Sequence, residues 1–81
     1  MTSELEQALA HQKAGRLTEA EEIYRLLLAA EPDHAEALHG LGVLCLQQHD
    51  PATAIDLIGR ALKLKPNYLQ AQCNLALALQ T

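Results

Sequence analysis

The residues best suited to metal or acid–base chemistry are four histidines, and their spacing argues against a shared site. They are His11, His34, His39 and His49. On a helix of 3.6 residues per turn, His34 and His39 diverge by about 140°, so they cannot bind one ion from the same face. The sequence also lacks a paired-histidine metal motif, a glycine-rich phosphate loop and a nucleophile elbow. We therefore expect no catalytic, metal-binding or cofactor-binding residue, and we interpret the chain as a non-enzyme.

The two cysteines, Cys45 and Cys73, lack the spacing of a metal site. The first residues, Met1 to Glu4, do not form the basic region and apolar run of a secretion signal. We therefore predict a cytoplasmic protein in which both residues are reduced thiols that pack as small buried hydrophobes.

The charge balance limits the classes of partner. The net charge is −4 and the isoelectric point is near 5.4, whereas nucleic-acid binding requires Lys and Arg to neutralise phosphates. No apolar stretch reaches the ~20 residues of a membrane span. Arg60, Lys63 and Lys65 are expected to be solvated cations at a helix C-terminus, with a phosphate or acidic-peptide site as the alternative. We predict a protein or peptide partner, not nucleic acid or a membrane.

The elements that carry these residues repeat with a period of 34. Pro32 and Pro66 close equivalent segments, and the residue pairs that match across the same interval are Ala20/Ala54, Leu28/Leu62, Ala37/Ala71 and Leu41/Leu75. A fixed period of this length indicates one structural unit used again. We divide the single domain 1–81 into repeat 1–34, repeat 35–68 and segment 69–81, which is the first helix of an incomplete third repeat or a capping helix.

Each repeat is predicted to contain two helices. The expected helices cover 3–14, 17–30, 34–48, 51–64 and 68–80. Connections this short make neighbouring helices antiparallel, so we predict an all-α fold of about five helices. Ser3, Asp33, Asp50 and Asn67 are the expected N-caps, Thr18 with Glu21 is a further capping box, and Gly15 is expected to form the first turn.

The pattern of small and aliphatic residues resembles the tetratricopeptide repeat, a helix–turn–helix unit of 34 residues. The second repeat carries Leu38, Leu41, Gly42, Ala54, Ala61 and Pro66, and the first carries Ala8, Ala20, Tyr24 and Pro32. The first repeat departs from the pattern at Glu4, Gln7 and His11, and Cys45 and Ile58 stand where the family has aromatic residues. The resemblance implies an α-solenoid that acts as a protein–protein interaction scaffold. It also implies that Gly42 and Ala76 allow a neighbouring helix to approach closely.

The resemblance further implies a partner-binding concave face, formed by the first helix of each repeat. Mapped onto this sequence, the predicted contact residues are Leu5, Leu9, Glu36, His39, Val43, Leu46, Gln47, Gln70, Cys73, Asn74 and Leu77. Gln12 and Gln80 extend the same wall. Members of the family that grip a peptide carboxylate use Lys, Arg and Asn at positions that are Leu5, Leu9, His39, Gly40 and Asn74 here, so we expect no carboxylate clamp. The expected ligand is a peptide segment or another copy of the chain.

Residues 69–79 also resemble the repeats of O-linked N-acetylglucosamine transferases. Residues 14–21 and 39–44 resemble bacterial multidomain proteins of that broad kind, which carry the repeats ahead of a transferase domain. Asn74 falls on the asparagine ladder by which those repeats hold peptide backbones, although Glu6 and Gly40 replace it in the other two repeats. This resemblance implies the alternative function, a regulatory or substrate-presenting module of a larger transferase.

An uncovered apolar face is also predicted at the end of the chain. We place Leu75, Ala76, Ala78 and Leu79 on the side that a further helix should cover. Two explanations stay open: the chain is a fragment of a longer array, or two copies cover each other as a homodimer, with or without an exchange of helices.

Overall fold

A computed structural model describes residues 3–80 as five α-helices. Their bounds are α1 Glu4–Lys13, α2 Leu17–Ala30, α3 Ala35–Gln47, α4 Pro51–Leu64 and α5 Leu69–Leu79. The described residues contain no strand. This confirms the predicted all-α fold, with each helix end within one residue of the expected bounds. Met1, Thr2 and Thr81, which the predicted domain includes, lie outside the described residues.

The helices form two layers. Each helix packs on the next one along the chain, and in addition α1 contacts α3 and α3 contacts α5. The first helices of the repeats, α1, α3 and α5, therefore lie side by side in one layer, and α2 and α4 form the other. This is the stacking expected of a helical-repeat array.

Two predicted caps and one predicted turn are confirmed. The Oγ of Ser3 accepts a hydrogen bond from the amide of Glu6 at 3.1 Å, and Oδ1 of Asp50 accepts one from the amide of Thr53 at 3.3 Å. Such bonds satisfy amides that have no partner inside the helix. Gly15 has φ of +84°, a left-handed conformation that glycine adopts without steric cost.

The other predicted caps are wrong. The N-cap of α3 is His34 rather than Asp33, and its Nδ1 accepts a hydrogen bond from the amide of Ala37 at 3.2 Å. The N-cap of α5 is Tyr68 rather than Asn67, without a side-chain bond. Thr18 lies inside α2, which begins after Arg16, again without a side-chain cap. Helix α3 therefore begins one residue later than Asp33 predicted, because the imidazole of His34 accepts the capping hydrogen bond in place of the Asp33 carboxylate.

The core contains small residues at the helix contacts and a few large side chains between them. Its fully buried alanines are Ala8, Ala20, Ala37, Ala54, Ala61 and Ala71, and its largest fully buried side chains are Tyr24, Leu38, Leu44 and Ile58. Alanine at a contact lets two helices approach closely, while the large side chains fill the remaining volume. The matched alanines of the 34-residue period are therefore packing positions.

Two glycines of α3 lie against side chains of neighbouring helices. A Cβ added at Gly42 would lie 2.6 Å from Cγ1 of Ile58, and one added at Gly40 would lie 2.5 Å from the ring of Tyr24. Both Ile58 and Tyr24 are fully buried, so neither can easily move aside. The predicted close approach at Gly42 is confirmed, and Gly40 has an equivalent role against α2.

Two predictions about buried residues need correction. Ala78 is buried and Leu75 is partly buried against the core, whereas both were predicted to be uncovered, because α5 packs against α4 and α3 through the side that carries Ala71, Leu75 and Ala78. Cys73 is exposed, whereas Cys45 is buried as predicted. Ala76 and Leu79 are exposed, as expected for the uncovered face. The free side of α5 is thus rotated from the predicted one.

The contact at Gly42 can be tested with a matched pair of substitutions. We expect Gly42→Ala to lower the free energy of unfolding by about 1–3 kcal/mol, because the new methyl overpacks Ile58. Gly59→Ala is the control, since a Cβ there meets no atom within 4 Å. It should raise the free energy of unfolding by roughly 0.5–1 kcal/mol through helix propensity alone. Chemical denaturation followed by circular dichroism measures both, and equal shifts would contradict the packing role of Gly42.

Candidate partner-binding cleft

A cleft of about 400 Å³ opens on the layer formed by the first helices of the repeats. We name it the inner cleft. Side chains of α1, α3 and α5 line it, together with Tyr68 from the connection before α5. Its lining residues are Leu5, Leu9, Gln12, Lys13, Glu36, His39, Gly40, Val43, Gln47, Tyr68, Gln70 and Asn74.

Eight of the eleven predicted contact residues line the inner cleft. They are Leu5, Leu9, Glu36, His39, Val43, Gln47, Gln70 and Asn74. The other three lie elsewhere: Leu46 is partly buried against the core, and Cys73 and Leu77 are exposed on α5. The structure therefore brings together the residues of α1 and α3 and one side of α5.

Lys13 and Tyr68 line the cleft but are not among the predicted residues. Lys13 is the last residue of α1, and Tyr68 is the residue before α5. Lys13 lies one 34-residue period before Gln47, a predicted contact residue, so the repeat could have identified it. Tyr68 lies outside the helices, where helical spacing does not determine which neighbours a side chain reaches. Tyr68 precedes the helix that carries Gln70 and Asn74, and this proximity was the one signal available in the sequence.

His39 forms the floor of the cleft and joins α3 to α5. Its Nε2 lies 2.8 Å from Nδ2 of Asn74, and its ring centre lies 4.8 Å from that of Tyr68. The residue is only 9% exposed, and this burial lowers the pKa of His39 below the ordinary value of 6.5. The ring is therefore neutral, with Nε2 accepting from the Asn74 amide. One N–H of the Asn74 amide is therefore used within the fold, and the same amide carries a second N–H.

A chain of hydrogen bonds fixes two carboxamides at the end of the cleft near the C-terminus of α1. The hydroxyl of Tyr24 donates to Oε1 of Gln12 at 2.8 Å, and Nε2 of Gln12 donates to Oε1 of Gln47 at 2.8 Å. Burial, and to a lesser extent the charge of Tyr68, raises the pKa of Tyr24 to about 12. The phenol of Tyr24 therefore keeps its proton at neutral pH. It donates from the core to Gln12, and Gln12 in turn holds Gln47.

At the opposite end, Glu36 and Lys65 form an ion pair. The Nζ of Lys65 lies 3.4 Å from Oε2 of Glu36 and 4.7 Å from the ring centre of Tyr68. A backbone hydrogen bond, helped by Lys65, lowers the pKa of Glu36. Both side chains are about half exposed, so the pair adds little stability. Lys65 neutralises the charge of Glu36, which is the one carboxylate among the residues that line the cleft.

The cleft therefore offers apolar surface and carboxamides rather than reactive groups. Within residues 3–80, no three His, Cys, Asp or Glu side chains come close enough to hold a metal ion together. No helix in this part of the chain is long and apolar enough to cross a membrane. Such a lining suits a segment of polypeptide. Apolar side chains of the segment can contact the leucines and the valine, and its main-chain amides can bond the carboxamides.

Stacked antiparallel helix pairs with a cleft on the layer of first helices define the class of α-solenoid repeat proteins. Comparison with known families agrees, because residues 5–68 match the model of the tetratricopeptide repeat. The match covers most of the chain, which therefore belongs to the tetratricopeptide repeat family. The matched model describes the repeat in general, so the resemblance to the transferase branch stays a prediction.

The buried position of His39 makes stability depend on pH. With the pKa of His39 lowered on folding, the unfolded chain binds a proton more readily than the folded one as the pH falls through 6.5. Stability therefore decreases as the pH falls below this value. We expect His39→Gln, which keeps a polar group beside Asn74, to reduce this slope between pH 7 and pH 5. Urea denaturation across this range measures it, and an unchanged slope would show that His39 is not its source.

Proposed function

We propose that the chain is a non-catalytic scaffold that binds a segment of a partner protein in the inner cleft. Tetratricopeptide repeats generally mediate protein–protein interactions, and residues 5–68 match this family. The observation that carries the proposal is the composition of the cleft, whose lining combines leucine and valine side chains with carboxamides and has Lys13 and Glu36 as its charged residues. We further propose that the protein acts in the cytoplasm, where its free thiols stay reduced.

The chemistry of the cleft favours a segment without charges. Leu5, Leu9 and Val43 supply the apolar part of the lining, and burying aliphatic side chains against them is the main source of affinity. Gln47 and Gln70 lie beside them and can hydrogen-bond the main chain of the ligand. Charged ligand side chains would have no partner along the middle of the cleft, so their desolvation would not be offset.

The length of the layer limits the ligand to a short stretch. Helix α3 has 13 residues and, at 1.5 Å per residue, is about 20 Å long. An extended chain rises about 3.3 Å per residue, so roughly six residues lie along the cleft. The volume of about 400 Å³ is at the small end of the range for ligand pockets. A few apolar side chains fill it.

The ligand's terminal carboxylate is not the recognised group in this proposal. Gripping a carboxylate firmly requires several converging donors with positive charge. Among the residues that line the cleft, Lys13 alone carries a cationic side chain, and the nearby Lys65 already pairs with Glu36. An internal segment therefore fits the cleft as well as a chain terminus does.

Peptides selected from a random display library test the proposal directly. We expect Val43→Asp to weaken binding of the selected peptides at least about tenfold, because it buries an unpaired carboxylate in the apolar lining. Leu26→Asp is the matched control, since Leu26 is 64% exposed on α2, away from the cleft. It should leave affinity unchanged. Isothermal titration gives the affinities, and circular dichroism confirms that both variants fold.

The same peptides test the minor role of the carboxylate. Versions with a free or an amidated C-terminus should bind within about twofold of each other, because the cleft has one unpaired cation. A loss of tenfold or more on amidation would instead indicate a carboxylate site near Lys13. Equal binding of all selected peptides by wild type and Val43→Asp would place the binding site outside the inner cleft.

A further inference from the structure

Asn74 presents one side of its carboxamide to the inner cleft, and His39 sets which side. Nδ2 of Asn74 lies 2.8 Å from Nε2 of the neutral ring, so the amide nitrogen points at the floor of the cleft. Within residues 3–80, Oδ1 of Asn74 has no hydrogen-bond partner. No buried side-chain oxygen or nitrogen in this part of the chain lacks a partner, so Oδ1 must be accessible. Because Asn74 lines the cleft, a bound segment can reach this acceptor.

One ring atom of His39 changes its role when the residue gains a proton. The neutral ring that accepts at Nε2 carries its proton on Nδ1, whereas both nitrogens of an imidazolium donate. Protonation therefore places two donors, Nε2 of His39 and Nδ2 of Asn74, against each other at the 2.8 Å contact. The last torsion of an asparagine side chain is roughly two-fold, so a half-turn exchanges oxygen and nitrogen without a change of volume. Oδ1 then accepts from Nε2, and both N–H groups of the amide face away from His39.

We propose that His39 is a positioning residue that keeps Oδ1 of Asn74 toward the bound segment, where it accepts a main-chain N–H. When His39 gains a proton, the carboxamide turns over and the segment loses this bond. A positive charge in the floor of the cleft also opposes an apolar ligand, because burying a charge is costly. Acidification therefore weakens binding. The inference rests on the proposed function, since it concerns the control of binding in the same cleft.

The charged and titratable groups near His39 come from several elements. On α3, Glu36 has a lowered pKa, chiefly through a backbone hydrogen bond, so it stays ionised at pH 5. Lys65 at the end of α4 balances its charge. Burial raises the pKa of Tyr68, in the connection before α5, and that of Tyr24 on α2, so both phenols stay neutral. The other charged residues of α2 and α4 are not buried.

His39 is the one histidine among the residues that line the cleft, to which α1 contributes the cation Lys13 and α5 no charge. Burial, rather than a neighbouring charge, lowers the pKa of His39. A ligand that requires the neutral ring must lower the pKa further when it binds. By the same coupling, its affinity falls as the pH falls through the pKa of His39 in the free chain. His34 lies outside the lining, with its Nδ1 3.7 Å from Oε1 of Glu36.

Isothermal titration at pH 7.5 and pH 5 tests the effect on affinity. The probe is a peptide selected against the chain that contains no Asp, Glu, His or Cys and has acetylated and amidated ends, so the ligand itself does not titrate. We expect binding at least about fivefold weaker at pH 5, because a hydrogen bond is lost. His39→Gln should bind within about twofold at the two pH values, since glutamine does not titrate. His34→Asn is the matched control: it keeps a capping side chain and should show the wild-type dependence on pH.

NMR of the imidazole nitrogens tests the coupling in the wild-type chain, so it does not depend on the folding of a variant. The chemical shift of Nε2 distinguishes a bare ring nitrogen from a protonated one and therefore follows His39 directly. We expect the saturating probe peptide to move the titration of His39 to lower pH and to leave that of His34 in place. A titration of His39 that the peptide does not move would overturn the proposal.

N-methylated versions of the probe test the contact with Oδ1 of Asn74 at pH 7.5. Methylation of each main-chain amide in turn removes one donor. At one position it should weaken binding to the wild type at least about fivefold. The same change should cost no more than about twofold with Asn74→Leu, which lacks the acceptor and has a similar volume. If every position gives equal losses with the two proteins, Oδ1 does not hold the segment.

Val43→Asp separates a failure of this inference from a failure of the proposed function. If Val43→Asp binds the probe as the wild type does, the peptide lies outside the inner cleft and both proposals are wrong. If Val43→Asp weakens binding while wild type and His39→Gln share one dependence on pH, the cleft is the binding site and His39 does not position Asn74.

Discussion

The close approach of α3 to its neighbours is the contact on which the rest of the structure depends. At Gly40 the backbone of α3 lies against the ring of Tyr24, and at Gly42 it lies against Ile58. The first contact also has a consequence for the cleft, because the hydroxyl of the same Tyr24 donates to Gln12, which in turn bonds Gln47. The small size of Gly40 thus decides both how closely α2 and α3 pack and where two carboxamides of the binding surface lie.

Much of this fold could be predicted from the sequence, because the signals that define it are local or periodic. Proline at 32 and 66 and glycine at 15 mark the helix ends, and the 34-residue interval identifies the packing alanines. The cap of α3 could not be predicted, since His34 and Asp33 both offer an acceptor and only the final backbone path selects one. The rotation of α5 was also beyond prediction. Its sequence is apolar on nearly every side, so packing against α4 and α3 rather than a polar–apolar pattern decides that Ala78 is buried.

The candidate site was predictable where the helices line it and not where the connection before α5 contributes. The middle of the cleft consists of helix positions such as Leu9 and Val43, whose neighbours follow from the repeat. Tyr68 reaches the cleft from the connection before α5, where no helical periodicity applies, whereas Lys13 lies one 34-residue period before Gln47. The neutral state of His39 depends on burial beneath groups far along the chain, with Asn74 lying 35 residues away. Sequence reasoning could place His39 on the inner wall but could not show that it joins two repeats.

The proposed contact surface in the inner cleft has no net charge, although the chain as a whole is acidic. In the inner cleft, Lys13 and Glu36 lie at opposite ends, and α5 has no charged residue. Charge complementarity mainly accelerates association and excludes partners of the wrong sign. Surfaces without it rely instead on apolar fit and hydrogen bonds, and in general they associate more slowly, at about 10⁵–10⁶ M⁻¹s⁻¹. Selectivity then resides in dissociation, because a segment that leaves a carboxamide unpaired or a leucine uncovered is released sooner. The overall negative charge acts against charged competitors of the same sign and leaves neutral segments unaffected.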